Sequence, residues 1–142
     1  MSQRKRSTFA RTGCLVVFLL LTLTPLGPGA QADCRATTDA VQAMPRITLS
    51  IAGERELPAR LAATAGHRGA GMQHLCPGII RDLAILFRFP EPRRPSFHMN
   101  NVHAPLDIAF LSASGRVVSV HRMRPDQNGT IGPDQRVAAA LE

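Results

Sequence analysis

The chain has 142 residues, which favours one domain, and it carries 17 basic against 10 acidic residues, a formal charge of +7. Four of the basic residues lie within the first 32, so the remainder holds 13 basic and 10 acidic residues, a charge of +3. No basic cluster is interleaved with aromatic residues, so the composition argues against a nucleic-acid-binding protein.

The first 32 residues are typical of a secretory signal peptide. A basic start over 4–11 precedes the apolar run 14–23, and Ala30 and Ala32 give the small-x-small pattern that a signal peptidase cleaves. A retained membrane anchor is the alternative, but the apolar run is shorter than the about 20 residues that a spanning helix needs. We therefore predict a signal peptide over 1–32, export to the periplasm or medium, and membrane contact only during export.

Residues 33–45 are polar and are predicted to form an irregular leader that is tethered at Cys34. Cys34 and Cys76 are the cysteines that remain once Cys14 has left with the signal. Because an exported protein meets an oxidising compartment, we predict a Cys34–Cys76 disulfide, with two unpaired thiols as the alternative. The spacing of the two cysteines does not suit a CxxC redox pair or a zinc knuckle.

The predicted domain covers residues 46–142 and begins with two strands. Apolar residues at alternate positions predict a half-buried strand over 46–51. A glycine-containing connection then leads to a return strand over 57–64. Pro58 indicates that this strand lies at an edge of the sheet or begins late, because proline cannot donate to the ladder.

A short helix is predicted over 67–76, weakened by its two glycines and ended by the Cys-Pro-Gly at 76–78. The apolar run 83–89 predicts the next strand. The proline-rich segment 90–95 that follows is predicted to be a surface loop.

The C-terminal half is richer in strands. Residues 96–100 are predicted to form a short strand or an extended segment, and the runs 106–111 and 116–123 predict a hairpin whose loop ends at Gly115. A last strand is predicted over 136–142. Five to seven short strands and one or two short helices predict a mainly β, α+β fold, a compact and partly closed antiparallel barrel-like sheet with a helix packed on it.

The stretch from Phe97 to Pro125 resembles the DUF192 family, small bacterial and archaeal domains of unknown function. The residues that match the family's central motif are Phe97, Met99, Asn101, Pro105, Leu106, Asp107, Ile108, Ala109, Phe110, Gly115, Val117, Val118, Met123 and Pro125. Further matches upstream are Gly71, Met72, Leu86 and Phe87.

The resemblance covers about residues 47–142 and implies a compact β-barrel-like fold with one or two helices, without an established activity. His98 stands where the family usually has Trp, and Asn100 where it usually has Lys. The sequence stops short of the strand residues with which the family usually continues, which makes it a C-terminally short member.

Asp107 lies in the middle of the most apolar predicted strand, behind a polar loop over 100–105. It alternates with apolar neighbours and so points to the opposite face, where an unpaired buried carboxylate would be costly. The favoured interpretation is that Asp107 accepts hydrogen bonds from the loop and anchors it. A ligand pocket lined by Asn101, His103 and Asp107 is the second interpretation. The third is a metal site formed by His98, His103 and Asp107, with His121 as a further candidate.

No catalytic motif accompanies these residues, since a G-x-S-x-G elbow is missing and the run GHRGAG lacks the P-loop lysine. We therefore expect an exported, non-enzymatic domain without a cofactor, which binds an unknown small ligand or protein and no nucleic acid. The alternative is a small metal-dependent or acid–base enzyme that uses the region of His98, His103 and Asp107.

Overall fold

The computed structural model describes residues 34–125 and 127–142, so the predicted signal peptide lies outside the described residues. Within them, three short helices and six strands alternate along the chain. These are α1 (Asp39–Ala43), β1 (Arg46–Ile51), β2 (Arg55–Ala62), α2 (Ala65–Ala70), α3 (Pro77–Asp82), β3 (Ile85–Arg93), β4 (Leu106–Leu111), β5 (Val117–Met123) and β6 (Val137–Leu141). None of the described helices is long and apolar enough to cross a membrane.

The six strands form one sheet in the order β1-β2-β3-β6-β4-β5. This confirms the prediction of a mainly β fold with short helices. The prediction of a partly closed antiparallel barrel was wrong in two respects. The sheet is open, with β1 and β5 at its edges, and it is mixed, because β2 and β3 run parallel. The parallel pair follows from the connection, since a chain segment that carries α2 and α3 is long enough for a crossover.

The core lies between one face of the sheet, the three helices and the loop before β4. Alternate residues of β3 and β4 are buried, as expected for strands with one face on a core. A fully buried phenylalanine contributes about 1.5–3 kcal/mol. The buried cluster includes Phe87, Ile85, Ile108 and Phe110 from the sheet, Val41, Met44, Met72, Leu75 and Ile80 from the helical segments, and Met99, Val102 and Ala104 from the loop.

Strand β6 is the central connector of the sheet, and it confirms the last predicted strand. Ala140 pairs with Phe87 on one side and with Phe110 on the other. The ring of Phe97 lies 5.0 Å from that of Phe87 and 5.8 Å from that of Phe110, measured between centroids. The small side chain of Ala140, fully buried between two phenylalanines, therefore leaves room for a third aromatic ring.

Strand β1 and the β4–β5 hairpin have the predicted positions, but β2 differs. It begins at Arg55 and lies between two strands, so the edge position predicted from Pro58 was wrong. The proline is tolerated because pairing with β3 starts only at Arg60, which leaves β1 as the one neighbour of β2 at residue 58.

The helix predicted over 67–76 is present only in part: residues 67–70 belong to α2, residues 71–76 are not helical, and a second helix, α3, follows them. The first ends at Ala70 because Gly71 takes a φ of +48°, which leaves the helical region. The second begins at Pro77, with Cys76 as its N-cap residue. The Cys-Pro-Gly segment therefore starts a helix rather than ending one, in agreement with the preference of proline for the first helical position.

The leader was predicted to be irregular, yet it contains α1. The hydroxyl of Thr38 accepts a hydrogen bond from the backbone N–H of Val41 at 3.3 Å and caps the helix. Val41 and Met44 are buried in the core. The predicted Cys34–Cys76 disulfide is present and ties the leader to the N-terminus of α3.

Strand β3 extends through most of the predicted surface loop and ends at Arg93. Its pairing with β6 shifts register between Arg88 and Arg93, so the prolines at 90 and 92 lie where the ladder is irregular. This extension carries Arg93 and the residues after it away from the sheet centre, towards α2.

Candidate functional site

Asp107 has a partner on the neighbouring strand rather than in the loop. It lies opposite Arg122 of β5, which donates two hydrogen bonds to its carboxylate, at 2.9 Å from Nε and 3.0 Å from Nη2. Both side chains are more than half exposed. The hydrogen bonds and charge of Arg122 hold the pKa of Asp107 below its ordinary value. The interpretation that Asp107 anchors the loop at 100–105 was therefore wrong: the residue forms an exposed cross-strand ion pair.

The loop before β4 is held by its backbone and its apolar residues. Asn101 takes a left-handed φ of 58°, and its carbonyl accepts a hydrogen bond from the N–H of His74 at 2.7 Å. Val102 and Ala104 are buried. His103 lies between them, and its Nε2 is buried without a hydrogen-bond partner among the described residues.

The four candidate metal ligands do not converge. His98 is exposed, Asp107 pairs with Arg122, and His121 hydrogen-bonds Ser119 at 3.1 Å. Across residues 34–125 and 127–142, no three His, Cys, Asp or Glu side chains lie close enough to hold a metal ion. The structure thus provides no geometry for a metal site formed by His98, His103, Asp107 and His121.

A cleft of about 430 Å³ lies between the end of α2 and the segment that follows β3. Its apolar lining consists mainly of three phenylalanine rings, with a methionine and a valine. The apolar residues are Ala70, Met72, Phe87, Phe89, Pro95, Phe97 and Val102, and the polar or charged side chains are Arg68, Gln73, Arg93, Arg94, Ser96, His98 and Glu142.

Glu142 places a carboxyl group inside this cleft. It directly follows β6, and its backbone exchanges two hydrogen bonds with Ile85, at 2.9 and 3.0 Å. The Oε2 atom is buried and has no hydrogen-bond partner among residues 34–125 and 127–142. Burial raises the pKa of this carboxyl from 4.5 to about 7. At neutral pH the group is therefore partly protonated and able to donate a hydrogen bond.

Three arginines line the cleft, and they differ in their hydrogen bonds and in their exposure. Arg68 donates hydrogen bonds to the carbonyls of Ala63 and Arg88, and its guanidinium lies 6.0 Å from the centroid of the Phe89 ring. These contacts of Arg68 hold α2 against the sheet. Arg93 and Arg94 are exposed. Their guanidinium groups are the cations at the mouth of the cleft, where they can meet a ligand.

Close backbone packing fixes one wall of the cleft. Phe97 and Ile131 exchange two backbone hydrogen bonds of 2.8 Å. Next to this bridge, a Cβ atom added to Gly132 would lie 2.6 Å from the carbonyl oxygen of Pro95. The glycine is required here because only its backbone allows the segment of Pro95 to approach so closely.

The sequence model of the DUF192 family, described as "Uncharacterized ACR", matches residues 47–142, about two thirds of the chain. The chain belongs to the DUF192 family. The DUF192 domain is similar to the crystal structure of a candidate transcription regulator from Sinorhizobium meliloti 1021, with 28% identity and a TM-score of 0.55, over 68% of this chain and 76% of that one.

A second crystal structure has the same fold. It is a protein of unknown function from Novosphingobium aromaticivorans DSM 12444, with 20% identity and a TM-score of 0.51, over 75% of this chain and 86% of that one. No curated protein matches the sequence.

The sequence-predicted site and the cleft of this DUF192 domain overlap only in part. His98 lines the cleft, and Asn101 reaches its edge through a 3.5 Å hydrogen bond from Nδ2 to Oε1 of Gln73. His103 and Asp107 are not part of its lining. Glu142 was missed, although an acidic residue directly after an apolar AAAL strand is an available signal for a charge held against the core.

We predict that the free energy of unfolding of Glu142→Gln increases relative to that of wild type as the pH rises. The folded-state pKa of about 7 exceeds the ordinary value of 4.5. The unfolded state therefore ionises first, and wild type loses stability between these two values. The shift corresponds to a loss of roughly 3 kcal/mol at most. Urea unfolding of both proteins across this pH window measures the difference.

A matched control is Glu91→Gln, which removes an exposed carboxylate of β3 that lies outside the cleft. Its stability profile should follow that of wild type over the same pH window. Parallel profiles for wild type and Glu142→Gln would show that the carboxyl is ionised and solvated, and would contradict the assignment.

Proposed function

We propose that this DUF192 domain is an exported, non-enzymatic module that binds a small molecule in the cleft beside Glu142. The observation that carries the proposal is the buried Oε2 of Glu142, which has no hydrogen-bond partner among the described residues and lies in a cleft whose apolar lining is mainly aromatic. An unsatisfied buried polar atom costs about 1–3 kcal/mol. A ligand that hydrogen-bonds to this atom would recover that free energy, so the unpaired group supports a site adapted to a bound partner.

The dimensions and chemistry of the cleft support a small ligand. Its volume of about 430 Å³ falls within the range of about 300–1,000 Å³ that is typical of small-molecule sites. Such sites are mostly apolar and contain a few converging polar groups that orient the ligand. The rings of Phe87 and Phe97 and the carboxyl of Glu142 beside Gly71 match this description.

An acid–base enzyme is less well supported by the arrangement of its candidate groups. Acid–base catalysis needs titratable groups within hydrogen-bond reach of one substrate. Of His98, His103 and Asp107, only His98 lines the cleft, and Asp107 is already paired with Arg122. The proposal therefore assigns binding and no reaction.

Transcription regulation is the description of the Sinorhizobium meliloti protein, and we do not extend it to this chain. The three described helices have five or six residues, less than two turns each. Helix-turn-helix proteins read DNA by laying a helix along the major groove. These helices are short for that purpose, which supports a proposal without nucleic acid.

Export of the domain is supported by the signal-like first 32 residues and by the Cys34–Cys76 disulfide, since disulfides persist in oxidising compartments. We predict that protein recovered from the exported fraction begins at Asp33 and has lost two hydrogens through the disulfide. Intact-mass spectrometry before and after reduction measures both features. An intact Met1 end, or two alkylated thiols in unreduced protein, would count against export.

The binding proposal predicts that blocking the cleft removes ligand binding. Gly69 and Gly66 both lie in α2, and a Cβ atom added at either meets open space, so tryptophan can be introduced at each without a clash of its Cβ atom. Of these two glycines, only Gly69 lines the cleft. A fragment library screened by ligand-observed NMR should yield compounds that bind wild type and Gly66→Trp alike and bind Gly69→Trp at least tenfold more weakly.

Two outcomes would contradict this proposal. The library could contain no compound that binds wild type, or the compounds that bind could remain unaffected by Gly69→Trp. Melting curves of both variants serve as the folding control, since each replaces an exposed glycine in a helix and should leave the fold intact.

A further inference from the structure

We propose that the cleft selects organic oxyanions, ligands with a carboxylate or phosphate head group on an aromatic or similarly apolar body. This inference rests on the proposed function and specifies the class of ligand that the cleft binds. Three features of the cleft carry it: the excess of arginine at its rim, the unpaired acid within it, and the phenylalanine rings of its lining.

The charges of the lining favour an anion. The lining contains three arginine side chains, those of Arg68, Arg93 and Arg94, and one acidic side chain, that of Glu142. Arg93 and Arg94 are adjacent and exposed, and arginine forms strong charge-assisted hydrogen bonds with carboxylate and phosphate groups. A cationic ligand could pair with Glu142 but would meet three guanidinium groups, so the balance of charge disfavours it.

Glu142 can complement an anion when it carries its proton. A neutral carboxyl donates a hydrogen bond to a ligand oxyanion, whereas an ionised one repels it. Its Oε2 atom is buried beside Gly71. Donor and ligand oxygen would therefore meet out of water, where a hydrogen bond is stronger.

The body of the ligand is defined by the apolar lining. Phe87 and Phe97 meet edge to face with centroids 5.0 Å apart, and Phe89 and Met72 extend the same surface. Aromatic rings prefer such edge-to-face or offset contacts with further rings. A planar ring of the ligand therefore fits this surface, and its head group would then point towards the arginines or Glu142.

The protonation of Glu142 makes anion binding depend on pH. The charged and titratable groups on the elements packed against it are His67 and Arg68 of α2, Arg88, Glu91 and Arg93 of β3, and Arg94 and His98 of the segment after β3. Of these, Arg68, Arg93, Arg94 and His98 line the cleft. Because Glu142 loses its proton around neutral pH, the affinity for an oxyanion should fall by about tenfold from pH 6 to pH 8.

Three probes with one ring and one linker test the head group: phenylpropionate, phenylpropanamide and phenylpropylamine. Calorimetry or ligand-observed NMR with the mature protein at about pH 6 should give the tightest binding for the carboxylate, weaker binding for the amide and the weakest for the amine. Acetate and inorganic phosphate, which lack the apolar body, should bind at least tenfold more weakly than phenylpropionate. The carboxylate stays ionised from pH 6 to pH 8, so any change in its affinity reports on the protein.

Two test variants and one control variant show which residues cause the preference for the carboxylate. Arg93→Gln/Arg94→Gln should weaken phenylpropionate by roughly tenfold and leave the amide unchanged. Arg81→Gln/Arg88→Gln removes the same charge from exposed positions outside the cleft and is the matched control. Glu142→Gln replaces the titrating carboxyl by an amide that donates a hydrogen bond at every pH, so the affinity of this variant for phenylpropionate should no longer fall between pH 6 and pH 8.

The outcomes separate this inference from the proposed function. If the amide or the amine binds as tightly as the carboxylate, and Gly69→Trp abolishes that binding, the cleft is a ligand site but the inference is overturned. The inference is also overturned if none of the three probes binds at millimolar concentration, whereas the proposed function then fails only if the library compounds fail as well.

Discussion

Strand β6 is the element on which the rest of the structure depends, because it joins two halves of the sheet that have no other strand pairing within the described part of the chain. It lies between β3 and β4, so β1-β2-β3 and β4-β5 share one sheet only through its hydrogen bonds. The alanine-rich sequence of this strand suits the position. Ala140 is fully buried between Phe87 and Phe110, and its small side chain admits the ring of Phe97. The same strand carries Glu142 to the side of Gly71. The connection that completes the sheet therefore also places an acid in the cleft.

The cleft combines a rigid frame with an unsatisfied group. Gly132 lies against the backbone of Pro95 on one wall, and Arg68 holds α2 against the sheet on the other. Between these walls, the Oε2 atom of Glu142 is buried without a hydrogen-bond partner in the described part of the chain. Such a group lowers the stability of the fold at neutral pH, and residues that are unfavourable for stability are often found at functional sites. Asp107 is the opposite case. Its carboxylate is paired with Arg122 at the surface, where an ion pair contributes little to the stability of the fold.

Local patterns in the sequence predicted the elements that depend on local interactions. The alternation of apolar residues gave β1 its bounds, and the hairpin of β4 and β5 followed from two β-rich runs around Gly115. The disulfide followed from the expected compartment. The helix over 67–76 was wrong because Gly71 adopts a left-handed φ and Pro77 starts a second helix. The site could not be predicted, because Arg93 and Glu142 are 49 residues apart in sequence and meet only through the pairing of β3 with β6. The partner of Asp107 was missed for the same reason: the cross-strand register decides it.

The protonation of Glu142 inside the cleft is the central physical claim, and NMR titration of its side-chain carboxyl carbon tests it most directly. The account predicts a midpoint at about pH 7 in the free protein, far above the ordinary 4.5. It also predicts a further rise when phenylpropionate is added, because an oxyanion binds the protonated form. A midpoint near 4.5 that the ligand does not move would contradict the account.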